Sequence, residues 1–147
     1  MRALKYIATL GFVGYLPVAP GTFGTLAGFL LFIFLKPSFF LHVFFLCLII
    51  PVGIVSSHYT EKLLNEKDSR HIVIDEFCAY FLSVLFLPLN MTNALAAFFL
   101  FRFFDILKPF PIRKMETAFK GGMGVMADDI MAAIYTNGIL QIWRLIN

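Results

Sequence analysis

The chain has 147 residues, of which 60% are apolar and only 14% are charged, and phenylalanine alone contributes 19 of them. The apolar share exceeds the roughly 45–50% of ordinary soluble domains, so a water-soluble monomer would expose too much apolar surface and is excluded. The net charge of +3 is small, and the basic residues form no continuous stripe, which excludes nucleic acid as a partner.

Apolar segments separated by polar loops follow one another along the chain. They lie near Phe23–Leu35, Phe39–Ser56, Phe77–Leu87, Ala94–Phe104 and Ile130–Ile146. None shows the alternation of barrel strands, and irregular backbone cannot face lipid with its peptide groups unpaired, so all are predicted to be helices. The sequence therefore predicts an all-α fold, a polytopic integral membrane bundle of about five short helices.

The turn at Pro88–Asn93 predicts a hairpin between the third and fourth helices. The polar loops Ser57–Glu76 and Asp105–Asp129 then emerge at one membrane face, and the N-terminus joins them if the first helix spans. Basic residues are concentrated there, and by the positive-inside rule that face is cytoplasmic. The face carries ten of the twelve Lys and Arg residues: Arg2, Lys5, Lys62, Lys67, Arg70, Arg102, Lys108, Arg113, Lys114 and Lys120.

The segment from Pro17 to Thr25 combines two prolines with glycine and threonine just before the first predicted helix. It predicts a rigid turn in which Thr22 caps that helix with its hydroxyl group. The same helix start would offer hydroxyl and amide donors to an anion. Gly21 and Thr22 are therefore predicted to contact substrate.

Five of the nine carboxylates stand where apolar segments begin or end. Asp75 and Glu76 precede the third segment, Asp105 ends the fourth, and Asp128 and Asp129 precede the fifth. A charged side chain at the bilayer centre costs about 2.5–3.5 kcal/mol even on the lenient insertion scale, so these acids call for a compensating cation. Helix capping could explain one acid of each pair, but not Asp105 at a helix C-terminus.

Arg102, Asp105 and Lys108 are spaced by three residues, which places them along one side of a helix end. They form either a local ladder of ion pairs or one wall of a site for an anion. Pro109 and Pro111 follow at once, and these residues are predicted to end the helix.

A glycine-rich tract from Lys120 to Gly124 leads into Asp128 and Asp129. It predicts a loop before a helix N-terminus, where exposed backbone N–H groups favour anions. Two aspartates there would repel a phosphate unless a divalent cation lay between them, and oxygen-only ligation suits Mg²⁺ bridging to phosphate oxygens. The tract therefore predicts a phosphate site, with Lys120, Gly121 and Gly122 as substrate contacts.

Four of these segments, read together, carry a resemblance that covers nearly the whole chain. They are Leu16–Leu26, Ile72–Glu76, Phe101–Ile112 and Lys120–Asp129. In this order they resemble the bacterial phosphatidylglycerophosphatase A family. Ala79 and Ala133 depart from the pattern, since glycine is expected a few residues beyond the paired acids, and alanine there predicts slightly altered packing.

The resemblance implies a lipid phosphatase of the bacterial inner membrane. With the chain length, the apolar segments and the distribution of charge, it predicts a single membrane-embedded domain over residues 1–147 that is multi-pass and has its active site facing the cytoplasm. Its expected activity is Mg²⁺-dependent hydrolysis of the terminal phosphomonoester of phosphatidylglycerophosphate, which gives phosphatidylglycerol and phosphate for glycerophospholipid biosynthesis. The partners it implies are this substrate and the membrane lipid. The catalytic residues it implies are Asp75, Glu76, Arg102, Asp105, Lys108, Asp128 and Asp129, with Lys120 as a further matching cation.

The acids suggest how such a site would act. Mg²⁺ held by Asp75, Glu76, Asp128 or Asp129 would bind the phosphate and lower the pKa of an attacking water. A covalent aspartyl-phosphate is the open alternative. The alternative function is a small membrane transporter or proton-coupled carrier that uses the clustered acids, although the gathering of charge at one rim disfavours a route across the membrane.

Overall fold

The computed structural model describes residues 2–146, and over that range every regular element is helical, as predicted. A short 3₁₀ turn at Val13–Tyr15 lies between the first two helices. The α-helices in chain order are α1 Arg2–Ala8, α2 Pro20–Leu35, α3 Phe39–Leu64, α4 Ile74–Ser83, α5 Met91–Leu107, α6 Ile112–Ala118 and α7 Gly122–Ile146.

The five predicted helices correspond to α2, α3, α4, α5 and α7, but most of them extend beyond their apolar stretch. α3 continues past Ser56 to Leu64, and α7 begins at Gly122 instead of Ile130. An apolar run marks only the part of a helix that faces lipid or core, so polar helical turns at its ends escape notice. The seven-residue helices α1 and α6 were missed for the same reason.

The short helix α4 occupies the centre of the bundle. Eight of its ten residues are buried, and it packs against α2, α3, α5 and α7. A helix that is buried on all sides in this way needs no polar face. At about 15 Å it is too short to cross a bilayer, and it has no need to, because other helices surround it.

The irregular backbone after α4 is held by polar side chains of α7. The Asn137 amide donates hydrogen bonds to the carbonyl oxygens of Ser83 at 3.0 Å and Leu85 at 2.6 Å. Arg144 donates to the carbonyl oxygen of Phe86 at 3.2 Å. Carbonyl groups that leave a helix and are shielded from water need such partners.

In the described part of the chain, one helix, Phe39–Leu64, is long and apolar enough to cross a membrane, and Pro20–Leu35 is a shorter apolar helix. The outer surface also exposes large apolar side chains, among them Phe34 at 84%, Phe40 at 82% and Leu145 at 85%. Such a surface is typical of a protein that contacts lipid. The further spans of the polytopic bundle stay a prediction.

Candidate active site

A cavity of about 340 Å³ lies at one end of the bundle, where α2, α4 and α7 begin and α5 ends. Residues Ala19–Gly21 and Asp68–Arg70 form part of its wall. The structure therefore brings together the seven residues predicted to be catalytic, although they come from three helices. These seven are Asp75, Glu76, Arg102, Asp105, Lys108, Asp128 and Asp129.

Three carboxylates converge on the floor of this cavity. One oxygen each from Asp75, Glu76 and Asp129 lies within 4.8 Å of the other two. Asp75 and Asp129 are only 7% and 3% exposed, and Oδ1 of Asp75 and Oε2 of Glu76 have no hydrogen-bond partner among the described residues. Buried carboxylate oxygens without partners are costly. This all-oxygen donor set fits a hard divalent cation such as Mg²⁺.

The electrostatics of the cluster reflect the burial of its carboxylates and their closeness to one another. Burial raises the pKa of Asp75 and of Asp129 well above the ordinary aspartate range, and the neighbouring carboxylates raise both further. Burial also raises the pKa of Glu76 to about 7, although a hydrogen bond with Asp75 opposes the shift. A cation among the three would favour their ionised forms.

Asp128 has a different environment from its neighbour Asp129. Lys108 Nζ donates a hydrogen bond to Oδ2 of Asp128 at 2.6 Å. Burial raises the pKa of Asp128 to about 6, and Lys108 opposes that shift. Consecutive helical residues point about 100° apart, so α7 directs one aspartate to the cluster and the other to Lys108. The structure thus groups three of the four predicted metal ligands and pairs the fourth with a lysine.

Arg102 connects α5 to the acid cluster. Its NH1 group donates a hydrogen bond to Oδ2 of Asp105, one turn further along α5. The same nitrogen lies 3.6 Å from Oε1 of Glu76 on α4. The local ion pair expected from the spacing is present, and the guanidinium also reaches a second helix. The ion-pair alternative is therefore confirmed for Arg102 and Asp105, and the anion site stays a prediction.

Gly21 lies in the first turn of α2, directly against the acid cluster. A Cβ atom at this position would lie 1.9 Å from Oε1 of Glu76 and 3.3 Å from NH1 of Arg102. No side chain fits unless Glu76 moves, because real Cβ atoms do not approach so closely. The absence of a side chain at Gly21 thus leaves the space that the Glu76 carboxylate occupies.

The prediction that Thr22 caps this helix is wrong. α2 begins at Pro20, its N-cap residue is Ala19 with φ 46°, and no side chain caps it by a hydrogen bond. Proline is favoured at the first helical position because its fixed φ suits a helix and its missing N–H is not needed there. Thr22 lies inside the helix and does not line the cavity.

The predicted glycine-rich phosphate loop is mostly the start of a helix. α7 begins at Gly122, and a Cβ atom there would lie 2.0 Å from the carbonyl oxygen of Ile54 on α3. A Cβ atom on Gly121 would lie 2.2 Å from Nδ1 of His58. The glycines therefore let α7 approach α3 closely. Lys120 is exposed, and the structure brings neither it nor the two glycines to the acid cavity.

Three further residues that line the cavity were not predicted as site residues: Asp68, Ser69 and Arg70. They belong to the loop between α3 and α4, and the sequence analysis used only the positive charge of Arg70, in the argument for membrane orientation. The feature that points to them is their position just before the Ile72–Glu76 motif. A polar tract adjoining buried acids is a reasonable place to look for substrate contacts.

The chain is similar to known proteins over nearly its whole length. The family model for phosphatidylglycerophosphatase A matches residues 6–144. A protein named phosphatidylglycerophosphatase A from Haemophilus influenzae is 39% identical over 147 residues, with 95% of this chain and 90% of the relative covered. One of the same name from Escherichia coli is 37% identical over 140 residues, with 92% and 80% covered.

A third relative carries a different name. This Bacteroides thetaiotaomicron protein, provisionally named a phosphatidylinositol-3-phosphatase, is 38% identical over 140 residues, with 89% of this chain and 87% of the relative covered. No solved structure matches the chain. All three relatives thus carry the names of lipid phosphatases, and two of them carry the same name.

Proposed function

The chain belongs to the phosphatidylglycerophosphatase A family, and we propose that it hydrolyses the terminal phosphomonoester of phosphatidylglycerophosphate to phosphatidylglycerol and phosphate. The observation that carries this proposal is the convergence of Asp75, Glu76 and Asp129 in a cavity shared with Arg102 and Lys108. A transporter is not favoured, because the relatives are named as phosphatases and these charges lie at one end of the bundle.

We propose Mg²⁺ as the cofactor, held by Asp75, Glu76 and Asp129. Support comes from the three converging oxygens and from the two carboxylate oxygens that lack a partner among the described residues. When bound, such an ion would neutralise phosphate charge and lower the pKa of a bound water.

The cations of the cavity would act on the phosphate directly. In phosphoryl transfer, charge is spread over the three equatorial oxygens, so catalysis is mostly positioning and electrostatic stabilisation. Arg102 and Lys108 supply positive charge at the cavity wall. Their partners Asp105 and Asp128 hold them in orientation, which reduces the reorganisation required during the reaction.

Two routes lead to the same products. In the first, water attacks phosphorus, the bond to the glycerol oxygen breaks, and that oxygen gains a proton as the alcohol of phosphatidylglycerol. In the second, an aspartate carboxylate attacks first, and water then hydrolyses the aspartyl-phosphate. In the first route, the proton that the attacking water loses balances the one that the glycerol oxygen gains.

Metal removal tests the proposal. Purified protein in detergent is expected to release phosphate from phosphatidylglycerophosphate in Mg²⁺, to stop after chelation with EDTA, and to recover when Mg²⁺ is added in excess. The measurement is the rate of phosphate release, with unfolding temperature as the control for intact protein. Activity that survives thorough chelation would argue for a metal-free phosphoenzyme route.

We further propose that the chain is multi-pass in the cytoplasmic membrane, with the cavity at the cytoplasmic face. Exposed apolar side chains on several helices support this, for example Phe34 on α2, Phe99 on α5 and Ile142 on α7. The turns that carry the acids lie at the cavity, and we place them at headgroup level, outside the hydrocarbon. The positive-inside rule gives the orientation.

Thiol labelling tests this orientation. In a background lacking Cys47 and Cys78, Lys67→Cys at the cavity end is expected to resist an impermeant thiol reagent in intact cells. The same site should react once the inner membrane is opened. Lys36→Cys, on the exposed residue that follows α2 at the other end of the bundle, is the matched control and should react in intact cells. The opposite pattern would invert the orientation.

A further inference from the structure

Arg70 differs from the other two cations that line the acid cavity. Arg102 is paired with Asp105 and Glu76, and Lys108 is paired with Asp128. Arg70 is exposed, and it makes no hydrogen bond or ion pair with any residue in the range 2–146. The acids are buried while Arg70 is exposed, so Arg70 lies toward the mouth of the cavity and the acids lie toward its floor.

The backbone around Arg70 is fixed although its side chain is not. Before it, the Asp68 N–H donates to Oε1 of Glu61 at 2.7 Å. After it, the Ile72 N–H donates to the carbonyl oxygen of Ser69 at 2.8 Å. These bonds keep the Cα atom of Arg70 at the cavity, so its guanidinium can reach a ligand without a loop having to fold first.

The N-terminal end of α2 lines the same cavity as Arg70, through residues Ala19–Gly21. α2 has sixteen residues, and the N-terminus of such a helix carries partial positive charge and N–H groups without helical partners. An unpaired guanidinium and a helix N-terminus that line the same cavity favour an anion there. Arginine suits phosphate oxygens in particular, because its planar fork can donate two parallel hydrogen bonds.

We propose that Arg70, with the N-terminal end of α2, forms a second anion subsite that binds the phosphodiester of the lipid while the terminal monoester lies on the acid floor. This inference rests on the proposed function, because only a substrate with two phosphates needs both positions. Asp68 and five further carboxylates line the cavity against three cations. Arg70 is the one of these three cations that is not bonded to a carboxylate of the cavity, so it is the one whose charge is left for a second phosphate.

The two reaction products probe the two positions separately. Short-chain phosphatidylglycerol carries only the diester, and inorganic phosphate resembles only the released monoester. Arg70→Ala is expected to raise the inhibition constant of phosphatidylglycerol and the KM of phosphatidylglycerophosphate by about tenfold or more, the loss expected for a hydrogen bond to a charged group. The inhibition constant of inorganic phosphate should change far less, and Arg70→Lys should restore part of the affinity.

Arg113→Ala is the matched control, because Arg113 is an exposed arginine on α6 that does not line the cavity. It removes the same charge and should leave all three constants unchanged. If Arg70→Ala leaves phosphatidylglycerol inhibition unchanged, or weakens phosphate inhibition equally, the subsite assignment is wrong. If the unmodified protein releases no phosphate from phosphatidylglycerophosphate, the proposed function itself fails, and this outcome is distinct from the other two.

Discussion

Asp75→Asn and Asp129→Asn are each expected to lower the turnover of phosphatidylglycerophosphate by about 100-fold or more, the scale of losing one preorganised charge contact in an active site. The amide keeps the shape of the side chain, but it binds Mg²⁺ far less well than a carboxylate does. Asp128→Asn should also reduce turnover, since Lys108 loses its charged partner. Phosphate release by the purified variants is the measurement.

These variants are expected to fold. Burial and neighbouring carboxylates raise the pKa of Asp75 and Asp129, so an uncharged amide at either position should leave the unfolding temperature without metal level or higher. Asp128→Asn also gives up the ion pair with Lys108 and is expected to be the least stable of the three. Glu66→Gln is the matched control, because this exposed carboxylate does not line the cavity and its amide can still accept the Ser69 hydroxyl. If both Asp75→Asn and Asp129→Asn release phosphate at rates near wild type, the assignment of these two residues to a metal site is wrong.

Gly21→Ala is expected to abolish most activity through a single methyl group. The new Cβ atom would lie 1.9 Å from Oε1 of Glu76, and no such contact can persist, so either the carboxylate or the start of α2 must shift. Misplacement of an active-site group by about 1 Å can cost on the order of 100-fold in rate. The loss should appear mainly in kcat, since Glu76 belongs to the proposed metal site.

Gly138→Ala provides the comparison, because a Cβ atom there would meet nothing within 4 Å. Alanine is favoured over glycine inside a helix by about 0.5–1 kcal/mol, so this variant should be fully active and at least as stable. Circular dichroism and thermal unfolding in detergent separate a local shift at Gly21 from global unfolding. Full activity of Gly21→Ala would show that Glu76 can move without consequence.

The cluster of acids could be predicted from the sequence because a charged side chain next to an apolar segment costs free energy in any arrangement of the helices. Asp75, Asp105 and Asp129 each stand at such a boundary, and antiparallel helices then bring the boundaries to one end. The all-helical chain was predicted from a different argument, the absence of strand alternation and the need to pair backbone groups inside lipid. Neither argument depends on knowing the contacts between particular helices.

Other features depend on which helix touches which, and no local pattern carries that information. From the sequence alone, Gly122 could either bind an anion through its backbone or allow α7 to pack closely on α3. The structure shows the close packing. The position of α4 at the centre of the bundle follows from its burial on all sides. Arg70 differs from Arg102 and Lys108, the other cations that line the cavity, because those two are paired and it is not, and the sequence does not show this difference.

The measurement that tests the central claim most directly is the rate of phosphate release by the purified protein from three lipids in Mg²⁺. Phosphatidylglycerophosphate should be the preferred substrate. The second lipid is phosphatidic acid, which carries no diester. The third is phosphatidylinositol 3-phosphate, the substrate in the provisional name of the Bacteroides relative. Asp75→Asn, measured alongside, should release almost none. Release from phosphatidylinositol 3-phosphate with none from phosphatidylglycerophosphate, or equal rates for Asp75→Asn and wild type, would contradict the account.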